Sequence, residues 1–132
     1  MNRRGFVAVE FVAGVALLLV PALLLVASLP TWSEREHAAT VAAREAARYA
    51  AQQWPSDTDG QAVAVALLAA ANYGVPARDL EVTMDSNVDR GGQVRATVTI
   101  VMPAIVVPGM GAHGAWHWTT SYAVRVDDYR SR

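Results

Sequence analysis

The sequence predicts an α+β fold: a long N-terminal helix with a transmembrane half and a soluble half, a second short helix, and a small antiparallel sheet of about three strands. Three observations lead there. An apolar run covers residues 6–30, and an alanine-rich stretch at helical spacing carries on from it to residue 53. From Leu80 onward the apolar period changes from 3.6 to 2. The two regimes are separated by clusters of turn-forming residues.

The first element is read from MNRRGFVAVEFVAGVALLLV. No charged residue occurs from Phe11 to Ser33, and Phe11–Leu29 alone measures roughly 28 Å at 1.5 Å per residue. That matches a hydrocarbon core of about 30 Å. Arg3 and Arg4 precede the run, while Glu34, Arg35 and Glu36 follow it with no positive excess. The positive-inside rule therefore places residues 1–5 in the cytoplasm as a short leader, 6–30 across the membrane and 31–132 outside. A cleaved secretory signal is the alternative, with MNRR as its basic region and LLVAS (24–28) ahead of the cut. The length of the run and the acid at Glu10 favour a retained span.

Residues 32–54, WSEREHAATVAAREAARYAAQQW, are helical by composition, with no Gly or Pro before Pro55. Ser33 offers a cap, with Glu34 and Glu36 close to the positive helix end. Val41, Ala42, Ala46, Tyr49 and Ala50 make a small-residue face that lets another helix approach closely. Only Pro30 and Thr31 separate this stretch from the span. The economical reading is one long helix from about Phe6 to Gln53, soluble beyond residue 31 and kinked at Pro21.

The outer α+β unit, residues 55–132, begins with the turn PSDTDG (55–60). Gln61–Tyr73 is the second helix, ended by Gly74. LEVTMD (80–85) and QVRATVTIVM (93–102) alternate and form a hairpin across SNVDRGG (86–92). PAIVVPGMGAHG (103–114) reads as an apolar loop. The third strand, 115–128, places Trp116, Trp118, Thr120, Tyr122, Val124 and Val126 on one face. So small a sheet needs a helical layer to bury its apolar side.

Several function classes drop out. The net charge is −1, and all 11 basic residues are Arg scattered along the chain, so no basic patch suits nucleic acid. There is no Cys, which excludes thiol chemistry and disulfides. His113 and His117 are four apart but straddle a loop and a strand start, a poor metal arrangement without a third ligand. DTDG (57–60) lacks the sixth-position Gly and twelfth-position acid of a calcium loop, since Ala62 and Leu68 stand there. Asp79, Glu81, Asp85 and Asp89 read as solvated acids. No nucleophile elbow and no phosphate-cradling Gly loop is present. Nothing makes a case for an enzyme or calls for a cofactor.

The N-terminus carries the specific signal. Gly5 ends a basic leader, Phe6 follows, and Glu10 is the fifth residue counted from Phe6. This arrangement, opening directly onto an apolar helix, resembles the processing site of type IV pilin precursors. With AAREAARYAA (42–51) and the closing YAVRVDD (122–128), the chain is similar to the TadE-like proteins of tight-adherence (Flp-type) pilus systems. Arg44, Glu45 and Arg48 stand where that family has charged residues in an A-A-R-E-x-A-R motif.

The resemblance implies a minor pilin or pseudopilin, cut by a prepilin peptidase between Gly5 and Phe6. Glu10 would pair with the new amine of a neighbouring subunit and register the helices. The partners implied are other pilin or pseudopilin subunits and a pilus assembly platform with its ATPase. Glu10, Arg44, Glu45 and Arg48 become candidates for subunit packing, with Glu45 and Arg48 forming an i,i+3 pair. A bitopic membrane protein is the alternative, its outer domain binding a ligand or cell-wall component through Trp116, Trp118 and Tyr122.

Overall fold

A computed structural model describes residues 3–86 and 91–126. The order is α1 (Arg3–Gln53), α2 (Asp59–Ala71), a single 3-10 turn (Ala77–Asp79), β1 (Leu80–Asp85), β2 (Gln93–Val107) and β3 (Gly111–Arg125). The three strands form one antiparallel sheet in the order β1–β2–β3. Asp89, Asp127 and Asp128, together with most of the expected 86–92 turn, lie outside the described residues.

Helix α1 is continuous through Pro21 and Pro30. Each proline withholds one backbone donor, from the carbonyls of Leu17 and Val26, and fixes its own φ in the helical range. Because the helix does not restart after Thr31, Ser33 caps nothing. The helix also begins inside the expected leader, at Arg3, so Gly5 lies in its first turns. At its other end α1 stops two residues before Pro55, whose ring disfavours helical geometry in Trp54.

The two halves of α1 meet different surroundings. The apolar residues up to Leu23 are exposed, with Leu18 at 78%. From residue 38 the small-residue face is buried: Ala38, Ala39, Ala42, Ala46 and Ala47 are all at 0%. The expectation that this face serves another helix is met inside the chain. Helix α2 lies along it and brings Ala62, Ala66 and Ala70, also at 0%, while the sheet covers the remainder. Alanines on both helices let the backbones approach closely.

The sheet supplies the bulk that the helices lack. Val94, Ala96, Val98, Ile100 and Met102 of β2 are buried beneath α1, with Leu80, Val82 and Met84 of β1 beside them. The odd-numbered residues face outward and are mostly polar. Thr99 and Thr119 pair directly across β2 and β3, hydroxyl to hydroxyl at 2.9 Å. The result is two layers, helices on one face of the sheet and a threonine-rich surface on the other.

The expected loop 103–114 is a correction. Residues Pro103–Val107 continue β2 and Gly111–Gly114 begin β3, so the β2–β3 hairpin runs well past the end of β1. Proline is tolerated because β1 ends opposite Ile100, leaving Pro103 paired only with β3. A strand residue directs its N–H and C=O to the same side, and the Pro103 carbonyl bonds to Trp32, away from β3. The missing donor therefore falls on the free edge. The hairpin closes over Pro108–Gly109, with Met110 donating to the Val107 carbonyl at 3.0 Å and Gly109 at φ 79° as a type II turn requires. Gly114 is needed for another reason: a Cβ there would lie 2.9 Å from Ala104 Cβ, at φ +70°.

Candidate functional site

Two regions hold the residues of interest: the exposed end of α1 and the junction where the β2–β3 hairpin grips α1.

At the first, Gly5, Phe6 and Glu10 are exposed on the helix, and Phe6 stands 60% open. Among the described residues no ion pair engages Glu10. Its carboxylate projects from an apolar, uncovered helix. The leading N–H groups of α1 lack helical acceptors and Gly5 weakens the helix, so its first turns unwind at low cost.

The second region is built from the free edge of β2. Arg35 donates from Nη1 to the Val101 carbonyl at 2.6 Å and to Asp79 Oδ2 at 3.1 Å, and from Nη2 to the same oxygen at 3.2 Å. Trp32 Nε1 donates to the Pro103 carbonyl at 2.6 Å. Ser28, fully buried, accepts from the Val106 N–H at 2.8 Å and donates to the Leu24 carbonyl at 2.8 Å. Three α1 residues, spaced four and three apart on one helix face, thus cover the strand edge that β1 leaves open. Trp116 meets Trp32 edge to face, ring centroids 6.4 Å apart.

Asp79, expected in solvent, is therefore a structural partner of α1. Arg35→Met removes all three of its hydrogen bonds, leaving the half-buried Asp79 carboxylate only the longer contact to the exposed Arg78 at 3.8 Å and the Val101 carbonyl without its side-chain donor. Charged hydrogen bonds are worth about 1.5–3 kcal/mol, and the expected loss of stability is about 2–4 kcal/mol. The test is the near-UV circular dichroism melt of the full chain in detergent micelles. An unchanged midpoint refutes the role given to Arg35.

The other expected site residues divide. Arg44 is exposed and stacks on Tyr122 of its own chain, its guanidinium carbon 5.5 Å from the ring centroid. Glu45 is half-buried and Arg48 exposed, and the two make no ion pair with each other. Trp118 and Tyr122 pack against the core from β3, and only Trp116, at 42%, offers substantial ring surface. The aromatic row is mainly the edge of the core. His113 and His117 both lie on β3, exposed, and among the described residues no group of three His, Asp or Glu converges.

A cleft of about 400 Å³ opens at the opposite end of the domain, lined by Trp54, Pro55, Asp57, Asp59 and Ser86 among others. Within it the Ser86 hydroxyl donates to Asp59, and Asp57 accepts from the Asp59 N–H at 3.5 Å. These contacts make DTDG the start of α2, with both acids near its positive end.

Ser28, Trp32 and Arg35 were not singled out by the sequence. A lone Ser inside an apolar run, followed by Trp and Arg on its own helix face, is the pattern that marks them. Comparison with family models, with characterised proteins and with solved structures found no match to this chain.

Proposed function

We propose that this chain is a membrane-anchored minor pilin or pseudopilin of a tight-adherence (Flp-type) pilus or a related secretion machine. In this reading it is inserted with its N-terminus in the cytoplasm and processed between Gly5 and Phe6. The observation that carries the reading is the division of α1: an uncovered apolar half bearing Glu10 directly after a Gly–Phe pair, and a half wrapped by its own domain. A helix long and apolar enough to cross a membrane, exposed along that length, is stable only in lipid or against other apolar helices.

Among the described residues Glu10 has no ion pair, and an acid at that depth is costly unless neutralised. Processing supplies the partner as the new α-amino group of Phe6 on a neighbouring subunit. Prepilin peptidase, other pilin or pseudopilin subunits and the assembly platform with its ATPase are the partners this reading requires. With the helix 38–50 alanine face already covered, contacts between subunits fall to the apolar half of α1 and to exposed groups such as Arg48.

Intact mass with N-terminal peptide sequencing of the protein from native membranes decides the matter. The expected mature chain begins at Phe6. A chain beginning near Ser28 or Leu29 is a secreted domain and overturns the reading. An uncut Met1 start removes processing, and with it the partner assigned to Glu10.

A further inference from the structure

We infer that the tip of the β2–β3 hairpin is a second membrane contact, seated in the outer leaflet beside α1. The inference rests on the membrane-spanning part of the proposed function and not on pilus assembly.

The tip's position follows from its hydrogen bonds. Val101 is tied to Arg35, Pro103 to Trp32 and Val106 to Ser28, so β2 descends along α1 towards the apolar half. Ser28 lies one residue inside the outer end of the stretch Phe11–Leu29, the span of roughly 28 Å. Residues 107–110 continue past it, and Leu24 and Ala27 are half-covered at that level. If α1 spans the bilayer, the tip has nowhere to lie but at the hydrocarbon boundary.

Its chemistry suits that place. From Ala96 to Val124 the sequence holds no Asp, Glu, Lys or Arg. The exposed tip carries Ile105, Pro108 and Met110, the last 74% open. Among the described residues nothing covers this cluster. Trp32 and Trp116 stack about one turn further out, at the depth where membrane proteins place aromatic belts.

The backbone of β2 is prepared as well, while the open outer edge of β3 keeps the tip at the level where headgroup water still reaches it. Lipid accepts irregular strands only where their polar groups are paired. Here β3 pairs one edge of β2 down to Val107–Gly111, and Ser28, Trp32 and Arg35 bond groups on the other.

The native chain has no Cys, so a single introduced Cys carries one spin label. The full chain is reconstituted in phosphatidylcholine–phosphatidylglycerol vesicles with labels at Met110→Cys, at Leu18→Cys in the span and at Thr83→Cys on the outer sheet face. All three positions are exposed, so the label displaces no core contact. Paramagnetic accessibility to oxygen and to a water-soluble nickel chelate is then compared.

The expected result is that oxygen exceeds nickel at 110 and 18, and that the order reverses at 83. A water-exposed 110 with a lipid-exposed 18 overturns the hairpin inference and leaves the membrane reading intact. Position 110 shielded from both reagents means that another copy covers the tip, which also overturns it. Water exposure at both 110 and 18 removes the membrane reading and this inference together.

Discussion

On the pilin reading, replacing Glu10 with alanine is expected to leave the protein in the membrane and to remove it from filaments. The substitution deletes a carboxylate from an exposed apolar helix, so insertion is, if anything, easier. Assembly suffers because the amine at Phe6 of the next subunit then enters the helix bundle unpaired. A charge left in that environment costs about 2.5–3.5 kcal/mol on insertion scales, and 1.4 kcal/mol is a factor of ten. The expected loss is on the order of a hundredfold in the ratio of filament-borne to membrane-borne protein. That ratio is read by immunoblotting sheared filaments against washed membranes. Filament content equal to the parent sinks the pilin account, and the alternative of a ligand-binding outer domain then gains. The alternative predicts instead that Glu10 is dispensable and that the β3 aromatic row is not, above all Trp116, the most exposed of Trp116, Trp118 and Tyr122.

The second large effect lies in the alanine seam. Ala46→Leu adds three carbons at a position with no accessible surface, in the core that α1 shares with α2 and the sheet. Neither side yields easily, because Ala62, Ala66 and Ala70 are themselves fully enclosed and α1 is fastened to the sheet edge by Arg35. Overpacking a dense core costs typically 1–3 kcal/mol, and about 3 kcal/mol is expected here. For so small an outer domain that loss is a large part of the total stability. Thermal unfolding of the full chain in micelles measures it. The same substitution at Ala64, exposed on α2, is the control and should change stability by no more than about 0.5 kcal/mol. Equal melts for the two variants show that the seam is not closed as described.

Much of the fold can be read from the residues. Strand β1 coincides with LEVTMD because alternation there is strict and turn residues flank it. Helix α1 ends at Gln53 as expected, since Pro55 follows a long Gly-free run. By sequence the hairpin tip reads as a loop, because PAIVVPGMGAHG has two prolines and three glycines, punctuation that usually means irregular chain. What local sequence does not reveal is that β1 stops opposite Ile100, which turns Pro103 into an edge residue. The glycines then serve the turn and the close approach at Ala104. Likewise, the helical spacing of the alanines identifies a close-packing face but not its occupant, which is set by the antiparallel return of α2.

The candidate site was legible where it is local. Gly5, Phe6 and Glu10 are contiguous along the chain and need no tertiary information. The ties of Ser28, Trp32 and Arg35 to β2 join residues 66–78 positions apart, and single-residue character does not announce them.

Because α1 crosses from its uncovered half into its wrapped half without a hinge, the outer domain cannot swivel on its stalk. The grip at Ser28, Trp32 and Arg35 locks the domain's compass heading to the azimuth of the helix. Consecutive residues on a helix are about 100° apart. A slip of one residue in the face that the apolar helix presents to a neighbour therefore swings the whole outer domain by more than a quarter turn. Side chains deep in the apolar half thus steer which outer surface meets the world, much as a rudder post turns its blade.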